Sequence, residues 1–242
     1  MAYIMNLNEQ TLLNFIITFY GSGNYSGDYW FVGMEEGGGK DLDQVSTRIN
    51  TWQRLGETEL VDIYDFHLRI NYPEYFTNPV KLQRTWMQEA RIVLAAKGLP
   101  CKTEDVRKYQ RDVIGRKDKE TCLLELLPLP SPSTSVWHYN ERTALPILKN
   151  RQRYEDHCLP WRIEHIRSKI LEHQPKLVVF CGSSYLQHWK AIAGNQVVFQ
   201  KLNDFWAAKE GKTLYLIVKH PALKGITNAY FEEVGDFARA TI

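Results

Sequence analysis

The stretch WFVGMEEGGG, Trp30–Gly39, runs from an apolar segment through Gly33 and Met34 into two adjacent carboxylates and three further glycines. A strand covered on both faces reads as an unbroken apolar run, without the alternation of a half-exposed one. Tyr29–Val32 therefore predicts a central strand, and the glycines a turn beyond it. Three more short runs share this character: Cys122–Leu127, broken by Glu125, then Leu177–Cys181 and Leu214–Val218. Between them lie stretches of helical period. Pro79–Lys97 carries Leu82, Trp86, Ala90, Val93 and Leu94. Pro160–His173 carries Trp161, Ile163, Ile166, Ile170 and Leu171, with Pro160 suited to a helix start and Pro175 beyond its end. Ser184–Ile192 and Tyr230–Ala240 complete the set, and Leu12–Tyr20 reads as a first amphipathic helix rather than a signal peptide. Strands alternating with helices predict an α/β fold. The expected form is a three-layer α/β/α sandwich around a central, mainly parallel four-stranded sheet, in one domain over residues 1–242.

Composition narrows the class. A hydrophobic fraction of 44% and a charged fraction of 24% are those of an ordinary globular protein, which excludes a disordered or fibrous chain. The net charge of +2 excludes a polybasic tail but permits a local basic face. No apolar stretch is long enough to span a membrane. Cys101, Cys122, Cys158 and Cys181 form no CxxC pair and read as reduced thiols of a cytoplasmic protein, not as ligands of a metal or cluster.

In open α/β sheets, ligands bind beyond the carboxyl ends of the strands. The residues just beyond each run therefore make up the candidate site. Glu35 and Glu36 come after the first, and Glu125 with Pro128–Pro130 lies at the second. Gly182, Ser183 and Ser184 come after the third, and Lys219, His220 and Pro221 after the fourth. A carboxylate at a central strand end is partly desolvated, which is costly to keep without a role. Pro221 stops a helix from forming at His220, so the ring can face the same crevice as Glu35. A carboxylate and an imidazole converging there suit cleavage of a glycosidic bond, one stabilising an oxocarbenium-like sugar and orienting water, the other stabilising the leaving group. PLPSPSTSVW, residues 128–137, predicts an extended loop, either a connector or a binding loop. The Lys- and Arg-rich stretch Cys101–Lys119 reads as a solvated face in preference to a DNA-backbone contact.

These segments resemble the uracil-DNA glycosylase superfamily in order and spacing. Gly33-Met34-Glu35-Glu36-Gly37 is similar to the family's first motif, G-x-[D/N/A]-P-G, with Met at the second position as in the single-strand-selective branch. Glu125-Leu126-Leu127-Pro128-Leu129 is similar to the strand carrying a base-reading Asn. LPWRIEHIRSKILEHQPKLVVFCG, Leu159–Gly182, resembles the helix that ends in P-K-x-V-V. His220-Pro221-Ala222-Leu223 resembles the H-P-S loop that enters the minor groove. The resemblance implies a catalytic role for Glu35 and His220, and base contacts from Gly33, Met34, Glu125, Gly37 and Gly38. It implies DNA contacts from Ser183, Lys219, Pro221, Leu223 and Lys224, with Leu223 either a wedge into the stack or a core contact. Glu36 stands where the family has proline and is either a second catalytic carboxylate or a solvated residue. The cysteine spacing does not match the branches that hold an iron–sulfur cluster, so neither cofactor nor metal is expected.

The departures bear on the base. Asparagine offers a donor and an acceptor to uracil, whereas an ionised glutamate only accepts, which suits the cytosine N4 amino group. A buried, protonated Glu125 would also donate to cytosine N3; alternatively Glu125 faces a helix layer and pairs with an arginine. Where the uracil-specific branch has an aromatic residue that blocks 5-substituents, this chain has Gly37, followed by Gly38 and Gly39. The expected activity is a monofunctional DNA glycosylase acting on a 5-modified cytosine, including glucosylated hydroxymethylcytosine of phage DNA, in antiviral defence. Its partner would be DNA, duplex or single-stranded, with no membrane and no obligate protein partner. The rivals are uracil repair, a catalytically silent nucleic-acid binder and a hydrolase of free nucleosides. Trp52, Tyr64, Phe66 and Trp137 are the candidates for stacking on the base.

Overall fold

In a computed structural model, which describes residues 8–39, 41–133, 136–141 and 143–242, the chain opens with α1 (Glu9–Thr18), β1 (Gly21–Gly23), β2 (Tyr29–Gly37) and α2 (Leu42–Arg54). β3 (Leu60–Val61), α3 (Ile63–Arg69), α4 (Arg84–Ala96), α5 (Thr103–Asp112) and β4 (Thr121–Ser131) come next. The second half runs through α6 (Arg151–His173), β5 (Leu177–Cys181), α7 (Leu186–Ala193), β6 (Gln200–Lys201), β7 (Trp206–Glu210), β8 (Thr213–Val218) and α8 (Asn228–Thr241).

The sheet has eight strands in the order β3-β1-β4-β2-β5-β8-β7-β6 and is mixed, which corrects the expectation of four. The four strands read from the sequence are its contiguous parallel centre, β4-β2-β5-β8. The additional strands are edges: β1 runs antiparallel to β4, and β7 antiparallel to β8. They escape a reading based on apolar runs because β1 is Gly-Ser-Gly, β3 and β6 have two residues each, and β7 ends in Lys209 and Glu210.

Strand side chains alternate between the two faces, and each face is covered by helices. Trp30, Val32, Val178, Phe180 and Ile217 pack in one core with α1, α2, α6 and α7. Tyr29, Phe31, Val179 and Leu216 pack in the other with α4, α5 and α8. This gives three layers and explains the unbroken apolar runs.

Two strands outrun their apolar signal. β2 continues through Glu35 and Glu36 to Gly37 with an irregularity between Glu35 and Gly37. β4 continues through Pro128 and Pro130 to Ser131, so the first part of the expected loop is strand. Proline is tolerated there because β1 pairs only as far as Leu124, leaving β4 an open edge on that side. α6 also differs from expectation. It begins at Arg151, capped by the Asn150 side chain, and carries the exposed Pro160 within it.

Arg162 of α6, wholly buried, ties these parts together. Its guanidinium donates to the carbonyls of Ile16 (3.1 Å), Phe19 (2.9 Å), Glu125 (2.9 Å) and Leu126 (2.6 Å) and lies 3.8 Å from the Tyr20 ring centroid. Arg162→Met should leave those four carbonyls without a donor and lower unfolding stability by about 3–5 kcal/mol, read as a fall in the urea midpoint at pH 7.

Candidate active site

From β2 the chain crosses to β4 on one side and later, through α6, to β5 on the other. β2 is thus the switch point of the parallel centre, where a crevice forms, and the Glu35–Glu36 segment lies in it. A cavity of about 600 Å3 opens there. Glu35 from β2, Glu125 from β4 and His220 from the segment after β8 all line it, as do Gly33, Glu36, Gly37 and Gly38. Met34 also borders it, with its side chain packed in the core on the opposite face.

At the rim, each carboxylate has a cation. Arg151, on the first turn of α6, donates from Nη1 to Glu35 Oε2 at 2.8 Å, and its Nη2 reaches Ser131 Oγ and the carbonyls of Ser133 and Val136. The loop after β4 is thereby fixed against Glu35, and Ser131, Pro132 and Ser133 become part of the cavity wall. Burial raises the Glu35 pKa despite the opposing hydrogen bond and charge of Arg151. Arg48 of α2 pairs with Glu36 through Nη1. Gly38, at φ +132°, adopts a backbone conformation that other residues rarely take. At Gly37 an added Cβ would meet nothing within 4 Å, so the wall there is open.

Deeper in, the carboxyls lose their cations. Glu125 lies opposite Gly33 in the register of β2 and β4, and a Cβ on Gly33 would come within 2.5 Å of Glu125 Oε2. Among the described residues no arginine binds its carboxyl: Arg162 takes only its backbone carbonyl, from the other face. Oε2 has no hydrogen-bond partner. Burial, reinforced by the charges of Glu36, Glu89 and Glu35, pushes its pKa well above the ordinary carboxylate range. Glu89 of α4 joins it in the cavity, also buried with Oε2 unpartnered, and burial lifts its pKa to about 8. In both, burial favours the protonated form, which offers one donor and one acceptor.

The neutral form is favoured in two histidines as well. His220 accepts the Ala222 backbone N–H at Nδ1 (3.1 Å), which leaves the proton on Nε2. Although the ring has much exposed surface at the mouth, nearby atoms desolvate it enough to lower its pKa. His67 of α3 is buried, donates from Nδ1 to the Ile63 carbonyl at 2.8 Å and so keeps Nε2 as an acceptor; burial lowers its pKa.

The residues expected to touch DNA diverge. Ser183, Leu223 and Lys224 are exposed, and the Leu223 carbonyl accepts from Arg84 at 2.8 Å; Pro221 is buried. The Lys219 ammonium pairs with Asp204 at 2.7 Å and lies over the Tyr230 ring. In the stretch 101–119, Arg107, Arg111, Arg116 and Lys119 pair with Glu104, Asp112, Asp62 and Asp118, and none of the four lines the cavity.

None of the four stacking candidates lines the cavity. Trp52 and Phe66 are core, Tyr64 packs on Phe76, and Trp137 lies under Arg151. Its aromatic walls are instead Tyr72, Tyr75 and Trp86, with Phe31 and Tyr185. The sequence carried signals for some of what was missed. Val45, Ile49 and Trp52 have helical spacing and predict α2, hence Arg48. Glu89 falls three residues after Trp86 and four before Val93, on an apolar helix face where an acid is out of place.

Fold and site together define an α/β protein with an acid-lined cleft at the switch point of its sheet. No protein-family model matches the chain, and no curated protein matches it.

The deep acids set a pH dependence. In the native state Glu89 keeps its proton to about pH 8, against 4.5 for an ordinary glutamate. The folded form therefore binds the extra proton across that window, and its stability falls as pH rises through it, by on the order of 4 kcal/mol. Glu89→Gln should remove this share, so urea unfolding at pH 5 and pH 8.5 should differ less in the variant than in the parent.

Proposed function

We propose that the protein is a monofunctional DNA glycosylase that flips a 5-modified cytosine out of DNA and hydrolyses its N-glycosidic bond, leaving an abasic site. The observation that carries this reading is the meeting of Glu35 from β2, Glu125 from the middle of β4 and His220 from the segment after β8 in one cavity. Glu35, oriented by Arg151 and made more basic by burial, takes a proton from water as the water oxygen bonds to C1′ and the C1′–N1 bond breaks. The neutral Glu125 gives its proton to N3 of the departing base and accepts from the N4 amino group. His220 donates from Nε2 to the negative charge that develops on the base. Exchange with solvent then returns the proton from Glu35 and replaces the one lost by Glu125.

The open wall at Gly37 supports a substituent at the base's 5-position, including the bulky ones found in phage DNA, and hence a role in antiviral defence. Leu223, 52% exposed on a loop held by Arg84, suits a wedge that offsets the cost of unstacking a base. The pairing of Lys219 with Asp204 favours hydrolysis by water over Schiff-base chemistry.

The test is a panel of DNAs bearing cytosine, 5-methyl-, 5-hydroxymethyl- and glucosylated hydroxymethylcytosine or uracil, scored for abasic sites by alkaline cleavage and for borohydride-trapped adducts. Release of a modified cytosine without trapping is expected. Release of uracil alone would make the protein a repair enzyme, and DNA binding with no release, unchanged in Glu35→Gln, would make it a silent binder. The rate should fall in acid, above the usual carboxylate range, as Glu35 gains its proton, and in alkali as Glu125 loses its own. Glu125→Gln should abolish the alkaline limb, cost about 10²–10⁴-fold in rate, and admit uracil, since an amide can turn to match either base.

A further inference from the structure

Base excision by Glu35, Glu125 and His220 leaves a buried acid of the cavity, Glu89, without a role. Glu89 descends from α4 onto the sheet face that carries Glu125, and shares the cavity with it and with Cys181 at the end of β5. Its helix neighbours have structural work: Gln88 bonds to Asn228 at 2.9 Å, and Arg91 to Glu232 at 2.9 Å, both tying α4 to α8. Among the described residues Glu89 Oε2 bonds to nothing, although the residue is only 5% exposed. Ala90, Ile92, Val93 and Leu94 beside it show that α4 packs with apolar side chains. An apolar residue at 89 would spare the fold an unsatisfied buried polar group, which costs about 1–3 kcal/mol. An unpartnered acid inside a ligand-sized cavity is a group waiting for a ligand atom.

We propose that Glu89 is a specificity-determining residue which binds the C5 side of a cytosine ring and selects a 5-substituent with oxygen on its first carbon. The N4 amino group has two hydrogens. In this arrangement Glu125 accepts the one beside N3 and donates to N3. Glu89 accepts the other, which points towards C5, and its own O–H donates to the oxygen of a hydroxymethyl or glycosyloxymethyl group. A methyl group offers no acceptor and leaves that O–H unpaired. The charged and titratable groups that share the cavity with Glu89 are Glu125 of β4, Glu35 and Glu36 of β2, Arg48 of α2, Cys181 of β5, His67 of α3, His220 after β8 and the phenols of Tyr72, Tyr75 and Tyr185. α8 and α5, which also pack on α4, direct Glu232 to Arg91 and Arg107 to the Val80 carbonyl and Glu104.

The identity of the ligand rests on the glycosylase reading, so the experiment separates the two. Binding of the free bases cytosine, 5-methylcytosine and 5-hydroxymethylcytosine to the full chain is measured by calorimetry at pH 6.5 and pH 9, beside the DNA panel. The parent protein is expected to prefer 5-hydroxymethylcytosine over 5-methylcytosine by about tenfold, the worth of one net hydrogen bond, and to lose the preference at pH 9. Glu89→Gln should keep it at both pH values, because the amide retains a donor and an acceptor without titrating. Glu89→Leu should fold, which thermal unfolding checks, and should lose it at both. A preference that survives in Glu89→Leu, or no binding of any base to the parent, overturns the inference. If the preference depends on Glu89 while no DNA releases a base, the glycosylase reading falls and this inference stands.

Discussion

The structure depends on a charge buried without a counter-ion. The Arg162 guanidinium is surrounded by backbone carbonyls, two at the end of α1 and two at the centre of β4. A lysine has no planar fork to span four acceptors, and an apolar side chain would leave them unpaired. The grip fixes β4 at Glu125 and Leu126, where short β1 no longer pairs with it. Since strand side chains alternate, holding the Glu125 backbone from one face directs its carboxyl out of the other, over Gly33. The Glu125 carboxyl is therefore positioned by a cation that holds its backbone and does not touch the carboxyl itself.

This arrangement divides the four carboxyls. The two near the turn, Glu35 and Glu36, each meet an arginine, and the two deep ones, Glu125 and Glu89, meet none. Four negative charges around one cavity would repel each other strongly. Two cations at the rim, and burial that favours the protonated form of the two acids without one, reduce the repulsion. Environments that push like groups apart in pKa are the means by which one site holds both an acid and a base at neutral pH.

How much of the fold and site was legible depended on where the signal lay. The parallel centre was readable because burial on both faces writes an apolar run, and the site because such a sheet offers its ligand crevice at strand ends. Glu35, Glu125 and His220 could be brought together on that ground alone. The rim cations could not. Arg151 was hidden by Pro160, which reads as a helix start; with its ring on the solvent side it sits inside a longer helix, and the true cap is Asn150. The outer strands carry too few apolar residues to register. The aromatic walls come from α4 and from the segment between α3 and α4, and only tertiary packing tells a cavity-facing Tyr75 or Trp86 from core aromatics such as Trp52 and Phe66.

The cavity's openness and its neutral floor are two halves of one selection. An open wall at Gly37 admits a large substituent but cannot require one, since empty space does not discriminate. Discrimination needs a group that loses something when the wrong ligand binds, and a buried polar atom without a protein partner does so. Glu125 Oε2 and Glu89 Oε2 are such atoms. A ligand that satisfies both removes a cost the empty protein bears, and one that satisfies only the first leaves that cost in place. In the proposed reading, the glycine run sets what can enter, and the two unpaired acids set what binds once inside.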